Sequence, residues 1–431
     1  MRTGIALGAM LCAALLVGIA SGAVTGSAWT RLSDPDAASG VGLARGGNGT
    51  LHVLWAKGAN VYDTSVNAAG RVGSKSSVVS GWASTAGPAA LAMPDGTLRA
   101  FVPGSINPGD SGPAIGVHTL TASAAGGKWV LAPDVWGGAL ANQRDVNAVL
   151  GKDGQPVTAV GGGGAVFFVG IANGQQPTIL PPTPYSYDPE VALDAGSGTI
   201  VGLWFVNQAG QQGIVAQSVY PQGSQRFLGK ASEVTAGGIS GRIGAPGTYV
   251  VLATPAGVRF GRFGGALVLA AKDSGVAVVD ITAGPAGRLW LSWLDRGGTL
   301  RAVRTNKAAS KLGPVQTVKS PAGSATSFEL RSEGSEGPVD VIAHYRVGSQ
   351  LAWWQTHVLP PVAVSARTSP KGLLTVKVTD VGDPVPGATV KAGGRTATTD
   401  ARGVATIRGI NQPGATTVSA PGYLTGKAGY R

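Results

Sequence analysis

The chain has 431 residues, of which 69 are glycine and only 13% are charged, against about 25% charged residues in ordinary globular proteins. Strong helix formers such as Glu and Met are scarce, which disfavours a helical fold and favours short strands joined by turns. The formal net charge is +12, but basic runs with interleaved aromatics are absent, so we expect no nucleic-acid partner. A basic extracellular surface would instead suit anionic envelope polymers.

The first 28 residues have the pattern of a secretory signal peptide. Arg2 precedes an apolar stretch at 5–19, which is followed by small residues. We therefore expect a protein that is secreted or held at the cell surface, with an uncleaved membrane anchor as the alternative. Cys12, the only cysteine, lies in this segment. The mature chain would thus fold without disulfides or thiolate metal sites.

A turn glycine followed by an apolar run recurs between residues 29 and 359. The clear copies are GTLHVLW at 49–55, GTLRAFV at 96–102, GTIVGLW at 198–204 and GRLWLSW at 287–293, and weaker copies begin at Gly154, Gly247 and Gly337. With the short runs before and after each copy, the unit is three or four strands every roughly 40 to 58 residues, the size of a propeller blade. Seven copies predict an all-β, seven-bladed β-propeller, with six or eight blades as alternatives.

The last repeat offers only three strands before it meets Pro360 and Pro361. Residues 29–33 (WTRLS) look like the outer strands of other repeats. We predict that they complete the last blade, because an uncovered strand edge invites association with other chains.

The layout of strand, glycine turn, strand ending in Trp and polar turn resembles the sialidase-like (BNR-repeat) propellers over residues 29–358. Their Asp box, Ser-x-Asp-x-Gly-x-Thr-Trp, is absent from the sequence. The resemblance implies, as one possible activity, a divergent exo-glycosidase with an arginine cluster, an acid carboxylate and a Tyr nucleophile assisted by Glu. The matching residue types are Arg144, Arg242 and Arg346, with Tyr187 and Glu190 or Tyr345, although no motif places any pair of them.

Residues 360–431 have a sequence pattern different from that of the repeats. PVPGATV at 384–390, Gly-Gly at 393–394, TDARG at 399–403 and Gly-Tyr at 422–423 follow one another between short strands. This order is similar to the carboxypeptidase regulatory-like and bacterial Ig-like modules. The resemblance implies a small, non-catalytic Ig-like or transthyretin-like β-sandwich. Nine Lys and Arg against three Asp and Glu in residues 361–431 would help retention on an anionic polymer.

The segment PGDSGPAI at 108–115 looks like the nucleophile segment of a trypsin-like protease. It lacks the second glycine of Gly-Asp-Ser-Gly-Gly-Pro, and the repeat places it in a loop, so we interpret Ser111 as a turn residue. The four histidines have no ligand spacing. We therefore predict no metal and no cofactor.

In a propeller, two sets of loops lie on the same face of the ring: those that lead into each innermost strand and those that follow each second strand. On the repeat map, these loops hold charged and aromatic residues that we predict as ligand-binding candidates: Asp34, Asp110, Arg144, Asp145, Tyr187, Asp188, Glu190, Arg242, Asp295, Arg296, Tyr345 and Arg346. Such a mixture suits a glycan, whose hydroxyls bind charged groups and whose rings stack on Tyr. The alternative is that they are solvated loop residues and salt bridges between blades.

Together these features predict a secreted, monomeric, non-catalytic binding or adhesion protein. Its propeller face would recognise a carbohydrate, such as a cell-envelope polymer, or a protein. A sialidase-type glycosidase and a structural extracellular protein without a ligand remain as alternatives.

Overall fold

The computed structural model describes residues 29–106, 116–123, 127–136, 143–162, 165–170, 186–208, 210–321 and 326–431. Within these ranges the chain is built from β-strands, with one 3-10 turn at Pro285–Gly287. No helix in the described ranges is long and apolar enough to span a membrane. The predicted all-β class is confirmed.

Short antiparallel strands make up residues 30–358. They are β1 (Thr30–Arg31), β2 (Val41–Arg45), β3 (Leu51–Lys57), β4 (Asn60–Val66), β5 (Val72–Val79), β6 (Ser84–Thr85), β7 (Ala89–Ala92), β8 (Leu98–Ser105), β9 (Gly116–Ala122), β10 (Val130–Trp136), β11 (Gln143–Leu150), β12 (Pro156–Gly162), β13 (Ala165–Gly170), β14 (Ser186–Leu193), β15 (Ile200–Gln208), β16 (Gln211–Tyr220), β17 (Arg226–Lys230), β18 (Ala236–Arg242), β19 (Ala245–Thr254), β20 (Gly257–Arg262), β21 (Val268–Ala271), β22 (Val276–Ala283), β23 (Leu289–Asp295), β24 (Leu300–Arg304), β25 (Gln316–Val318), β26 (Thr326–Glu333), β27 (Val339–Val347) and β28 (Gln350–Val358).

Over the described residues these strands form seven sheets, which we number in chain order. From the innermost strand outwards they are sheet 1 (β2 to β5), sheet 2 (β6 and β7 beside β8, then β9 and β10), sheet 3 (β11 to β13), sheet 4 (β14 to β17), sheet 5 (β18 to β21), sheet 6 (β22 to β25) and sheet 7 (β26 to β28, then β1). Each innermost strand contacts the innermost strand of the next sheet, and β26 contacts β2. The sheets therefore close into a ring, as in a β-propeller.

The N-terminal strand closes this ring. Thr30 lies opposite Gln355 and Arg31 opposite Trp354, so β1 is the outermost strand of sheet 7. The Trp29 indole donates a hydrogen bond to the Lys319 carbonyl (2.7 Å). The predicted completion of the last repeat by residues 29–33 is confirmed, because β1 covers an edge of β28 that would otherwise be open.

Six of the repeated glycines lie in the turn between the innermost and second strands, and the seventh, Gly247, lies near the start of the second strand of sheet 5. All seven have a positive φ, between 76° and 117°: Gly49, Gly96, Gly154, Gly198, Gly247, Gly287 and Gly337. A residue with a Cβ adopts this region only with strain, which explains why the repeat begins with glycine. The Trp that ends three of the copies is buried, at 0% exposure for Trp55, 2% for Trp204 and 1% for Trp293.

The C-terminal part is a two-sheet β-sandwich. Its strands are β29 (Ala363–Thr368), β30 (Leu373–Asp380), β31 (Asp383–Pro384), β32 (Thr389–Ala392), β33 (Arg395–Thr398), β34 (Val404–Arg408), β35 (Gly414–Ser419) and β36 (Gly426–Tyr430). Strands β29, β30, β31 and β34 form one sheet, and β33, β32, β35 and β36 form the other. Alternate residues such as Val376 and Val378 from one sheet and Val390 and Val418 from the other share a buried core. The predicted all-β class thus holds for this part of the chain as well.

Sheet 6 carries the contact with the sandwich. Arg304 forms an ion pair with Asp380, and both side chains are buried, at 3% and 1% exposure. Arg288 lies 3.0 Å from the same carboxylate and 2.7 Å from Asp383. The Tyr423 ring packs over the Arg304 guanidinium at 5.1 Å.

Candidate functional site

A cavity of ≈ 380 Å³ lies at the hub of the ring. Each of the seven sheets contributes to its wall through its innermost strand or the residues directly before that strand. One lining residue from each is, in chain order, Val41, Gly87, Asp145, Glu190, Ala236, Val278 and Leu330. The cavity therefore depends on closure of the whole ring.

The cavity wall is acidic although the chain as a whole is basic. Asp145 of β11, Asp188 and Glu190 of β14, and Glu329 of β26 line it together with Arg331. The register of β14 against β15 shifts at Asp188, whose φ is 51°. Asp is among the few residues that tolerate this left-handed conformation. Asp188 can therefore occupy the irregular position of the strand, two residues before Glu190.

Glu190 is held in place by two partners. Its residue is 8% exposed, one oxygen accepts a hydrogen bond from the Ile239 amide (2.9 Å), and the other pairs with Arg331. Gly238 borders both Glu190 and Asp280, since a Cβ at that position would lie in ordinary van der Waals contact, 3.5 Å from the Glu190 carboxylate and 3.5 Å from the Asp280 Cα.

Asp280 lies behind the cavity wall and accepts a hydrogen bond from the Ser332 hydroxyl. Burial raises the pKa of its carboxyl to about 7, and the negative charge of Glu190 adds to the effect, while Arg331 opposes it. Asp188 is open to the cavity, but the enclosing walls desolvate it and raise its pKa, again against Arg331. Asp280 and Asp188 therefore release their protons at higher pH than isolated aspartates do.

The structure brings together three of the predicted site residues, Asp145, Asp188 and Glu190. Asp34 lies elsewhere. Its carboxylate pairs with Lys75 on β5, the outermost strand of sheet 1, at 2.8 Å, and that hydrogen bond lowers the pKa of Asp34. Asp34 is thus at the periphery of the ring and not at its hub.

The predicted loop position of Arg242 is wrong. Arg242 ends β18, and its guanidinium donates hydrogen bonds to the carbonyls of Gly287 (2.7 Å), Pro246 (3.0 Å) and Lys307. It therefore fastens the turn between β18 and β19 to sheet 6. The sequence of β18, AGGISGR, has no apolar alternation. The sequence prediction therefore did not recognise it as a strand and assigned Arg242 to the loop before the strand.

Tyr345 is also misplaced by the sequence prediction. Its ring is fully buried, and its hydroxyl donates to the Gly298 carbonyl (2.7 Å), so it cannot face a ligand. Asp295 caps a turn by accepting from the Gly297 and Thr299 amides, both at 2.9 Å, and pairs with Arg301.

The remaining candidates are either solvent-facing or outside the described structure. Arg296 and Arg346 are exposed, directly after β23 and near the end of β27. Asp110, with Ser111, lies outside the described residues, and so do the side chains of Arg144 and Tyr187.

Sequence reasoning missed Glu329, Arg331 and Asp280. The first two lie in the middle of β26 and the third in the middle of β22, whereas the search considered loops. The signal was a charge inside an otherwise apolar strand, as in VAVVDITA. In the described part of the chain, no group of three or more His, Cys, Asp or Glu is placed to hold a metal ion.

Comparison with known proteins finds a similarity of fold and none of sequence. No protein-family model matches the sequence, and no curated protein matches it significantly. The structure is similar to that of the BP39L lectin from Burkholderia pseudomallei, with a TM-score of 0.52 and 13% identity over 80% of this chain and 97% of the lectin.

Two weaker similarities involve the SapL1 lectin in complex with alpha methyl fucoside and the polysaccharide lyase Uly1. For SapL1 the TM-score is 0.43 and the identity 16%, over 68% of this chain and 99% of that chain. For Uly1 the TM-score is 0.45 and the identity 10%, over 74% and 89%. At these identities only the fold follows, and the similarity to BP39L supports the propeller class.

Proposed function

We propose that this protein binds a carbohydrate, without catalysis, in the cavity at the hub of its propeller. The observation that carries the proposal is the combination, in one cavity, of Asp188, Glu329 and Arg331 with the partly exposed side chain of Phe205. A cavity of ≈ 380 Å³ falls within the range of about 300 to 1,000 Å³ typical of small-ligand sites.

The chemistry of this wall suits a sugar. Carboxylates accept short, strong hydrogen bonds from hydroxyls, and apolar side chains can pack against the C–H face of a sugar ring. The similarity of fold to a lectin supports the proposal without carrying it. Since carboxylates outnumber guanidinium groups in the lining, a neutral or amino sugar is expected to bind better than an acidic one.

A glycosidase is not proposed for Glu190 and Asp280, the two acids that border Gly238, because both carboxylates are already engaged. Both Glu190 oxygens have partners, and Asp280 is buried behind the wall with Ser332 as its hydrogen-bond donor. A general acid must instead reach the glycosidic oxygen.

We further propose that the protein works outside the cell or at its surface. The apolar segment at 5–19 and the basic composition of residues 361–431 support this location.

The test of the carbohydrate proposal is a glycan array followed by calorimetry with the strongest neutral or amino-sugar hit. Asp188→Asn removes a cavity charge while keeping a residue that tolerates φ = 51°, and Glu329→Gln keeps an acceptor for the Gly40 amide. We expect each variant to bind at least tenfold more weakly.

The matched control is Asp400→Asn, a change of the same type in an exposed turn of the sandwich. It should leave the affinity unchanged. An array without hits, or hits that both cavity variants bind as well as the unmodified protein does, would refute the proposal.

A further inference from the structure

A second recess lies on sheet 4, away from the hub. It is an open groove of ≈ 750 Å³ formed by the turn before β16, the residues before β17 and the end of β17. Its principal lining residues are Gln211, Gln212, Gln225, Phe227, Lys230 and Ser232. None of the groove's lining residues also lines the hub cavity.

The floor of the groove contains an exposed aromatic ring. Phe227 is 45% exposed on β17, the outermost strand of sheet 4. The ring lies over Gly213, because a Cβ added there would lie 2.7 Å from Phe227 Cζ and 2.0 Å from the Gly229 carbonyl oxygen. One side of the ring is therefore supported by glycine backbone, while much of the side chain stays accessible.

Three primary amides line the groove together with this ring. Gln211, Gln212 and Gln225 are all exposed, and each amide has both donors and an acceptor in one plane. The Gln212 amide also donates to the Asn207 side-chain oxygen (2.7 Å), which limits its rotation. This arrangement matches the neighbouring hydroxyls of a sugar, each of which both donates and accepts.

The charge of the groove is opposite to that of the hub. Among the residues that the structure describes, Lys230 is the only charged one in its lining, and no carboxylate lines it. A cationic amino sugar would be repelled by this ammonium group, whereas a neutral sugar or a uronic acid would not.

We propose that the groove over Phe227 is a second carbohydrate site, which takes a neutral or uronic-acid oligosaccharide stacked on the Phe227 ring. Stacking supplies affinity through the apolar face of a sugar ring, and the glutamines supply orientation. With two sites on one chain, the protein could hold a polymer by simultaneous contacts, which raises the overall avidity.

The experiment uses the full chain on an array of neutral, uronic-acid and amino-sugar oligosaccharides, then calorimetry with the best neutral and uronic-acid hits. Phe227→Ala and, separately, Gln211→Ala should weaken binding of the uronic-acid hits at least tenfold. For neutral hits, which are also expected at the hub, Phe227→Ala should remove one site from the stoichiometry. Lys230→Gln should weaken only the uronic-acid hits, which distinguishes the two sugar classes.

Val268→Ala is the matched control, because Val268 is 60% exposed on β21, the outermost strand of sheet 5, outside the groove. It should bind like the unmodified protein. If Phe227→Ala and Gln211→Ala bind every array member with unchanged affinity, or if no array member binds, the groove proposal is overturned. If binding is lost with Asp188→Asn but not with Phe227→Ala, the groove proposal is overturned and the hub proposal stands. If binding is lost with Phe227→Ala but not with Asp188→Asn, the hub proposal is overturned and the groove proposal stands.

Discussion

Arg304 of sheet 6 donates a hydrogen bond to the Asp380 carboxylate of the sandwich, and water reaches neither side chain to any large extent. Arg288 and the Tyr423 hydroxyl approach the same carboxylate. Two acidic residues of the small sandwich, Asp380 and Asp383, thus pair with two arginines of the propeller. Burying a charged group is costly unless it is paired, so the contact is sensitive to the loss of any one member.

Asp380→Ala should therefore destabilise the protein by about 3 to 5 kcal/mol, since it leaves Arg304 buried without its partner. Urea unfolding of the full chain measures the change. Asp400→Ala, in an exposed turn of the same sandwich, is the control and should have a small effect. Equal losses for the two variants would mean that the buried pair does not hold the sandwich to sheet 6.

The ring closure should depend on Trp29. Its ring packs edge-on against Tyr345, with centroids 5.0 Å apart, and its indole hydrogen bond reaches Lys319. Trp29→Ala should cost about 3 to 5 kcal/mol, the range for truncating a buried aromatic residue, and deletion of 29–33 should lower the melting temperature further.

Val268→Ala serves again as the control for Trp29→Ala, because surface substitutions change stability by roughly 0.5 kcal/mol or less. Differential scanning calorimetry of the three variants beside the unmodified chain makes the comparison. A deletion variant that melts at the unmodified temperature would contradict closure by β1.

Stability should fall as the pH rises from about 4 to about 7. Burial and Glu190 raise the pKa of Asp280 from its ordinary value of 3.8 to about 7, so the folded state binds a proton that the unfolded state has released. The free energy of unfolding then decreases by up to about 1.4 kcal/mol per pH unit in this window. Above the folded pKa this loss is complete.

Asp280→Asn should remove that slope, because the amide stays neutral and its oxygen can still accept from Ser332. The variant should match the unmodified protein near pH 4 and exceed it in stability at pH 8. Urea unfolding at four pH values tests this, with Asp400→Asn as a control that keeps the slope. Parallel pH profiles for Asp280→Asn and the unmodified chain would show that Asp280 is ionised throughout.

Much of the fold could be predicted because its signals are local. Gly49, Gly198 and the other repeat glycines mark turns that require a positive φ, and each apolar run is long enough for one strand. Even the pairing of Thr30 with Gln355 could be inferred, since the last repeat lacked a strand.

The candidate site was predicted only in part, for a different physical reason. Asp188 and Glu190 were found because they follow a turn-rich segment, whereas Tyr345 and Arg242 were misassigned because the direction of a side chain depends on strand register and boundaries. Arg331 was missed since its partner, Glu190, is 141 positions away in the chain.

The sequence by itself determined the strand-and-turn repeat, the all-β class and the closing N-terminal strand, because backbone conformation at glycines and apolar alternation are properties of neighbouring residues. Only the tertiary structure decided which charges share the hub cavity, that its wall is acidic in a chain of net charge +12, and that Arg304 meets Asp380. Those facts depend on the closure of the ring and on the packing of the sandwich against it. The resulting charge interactions act between residues that are far apart in the sequence, so no local pattern predicts them.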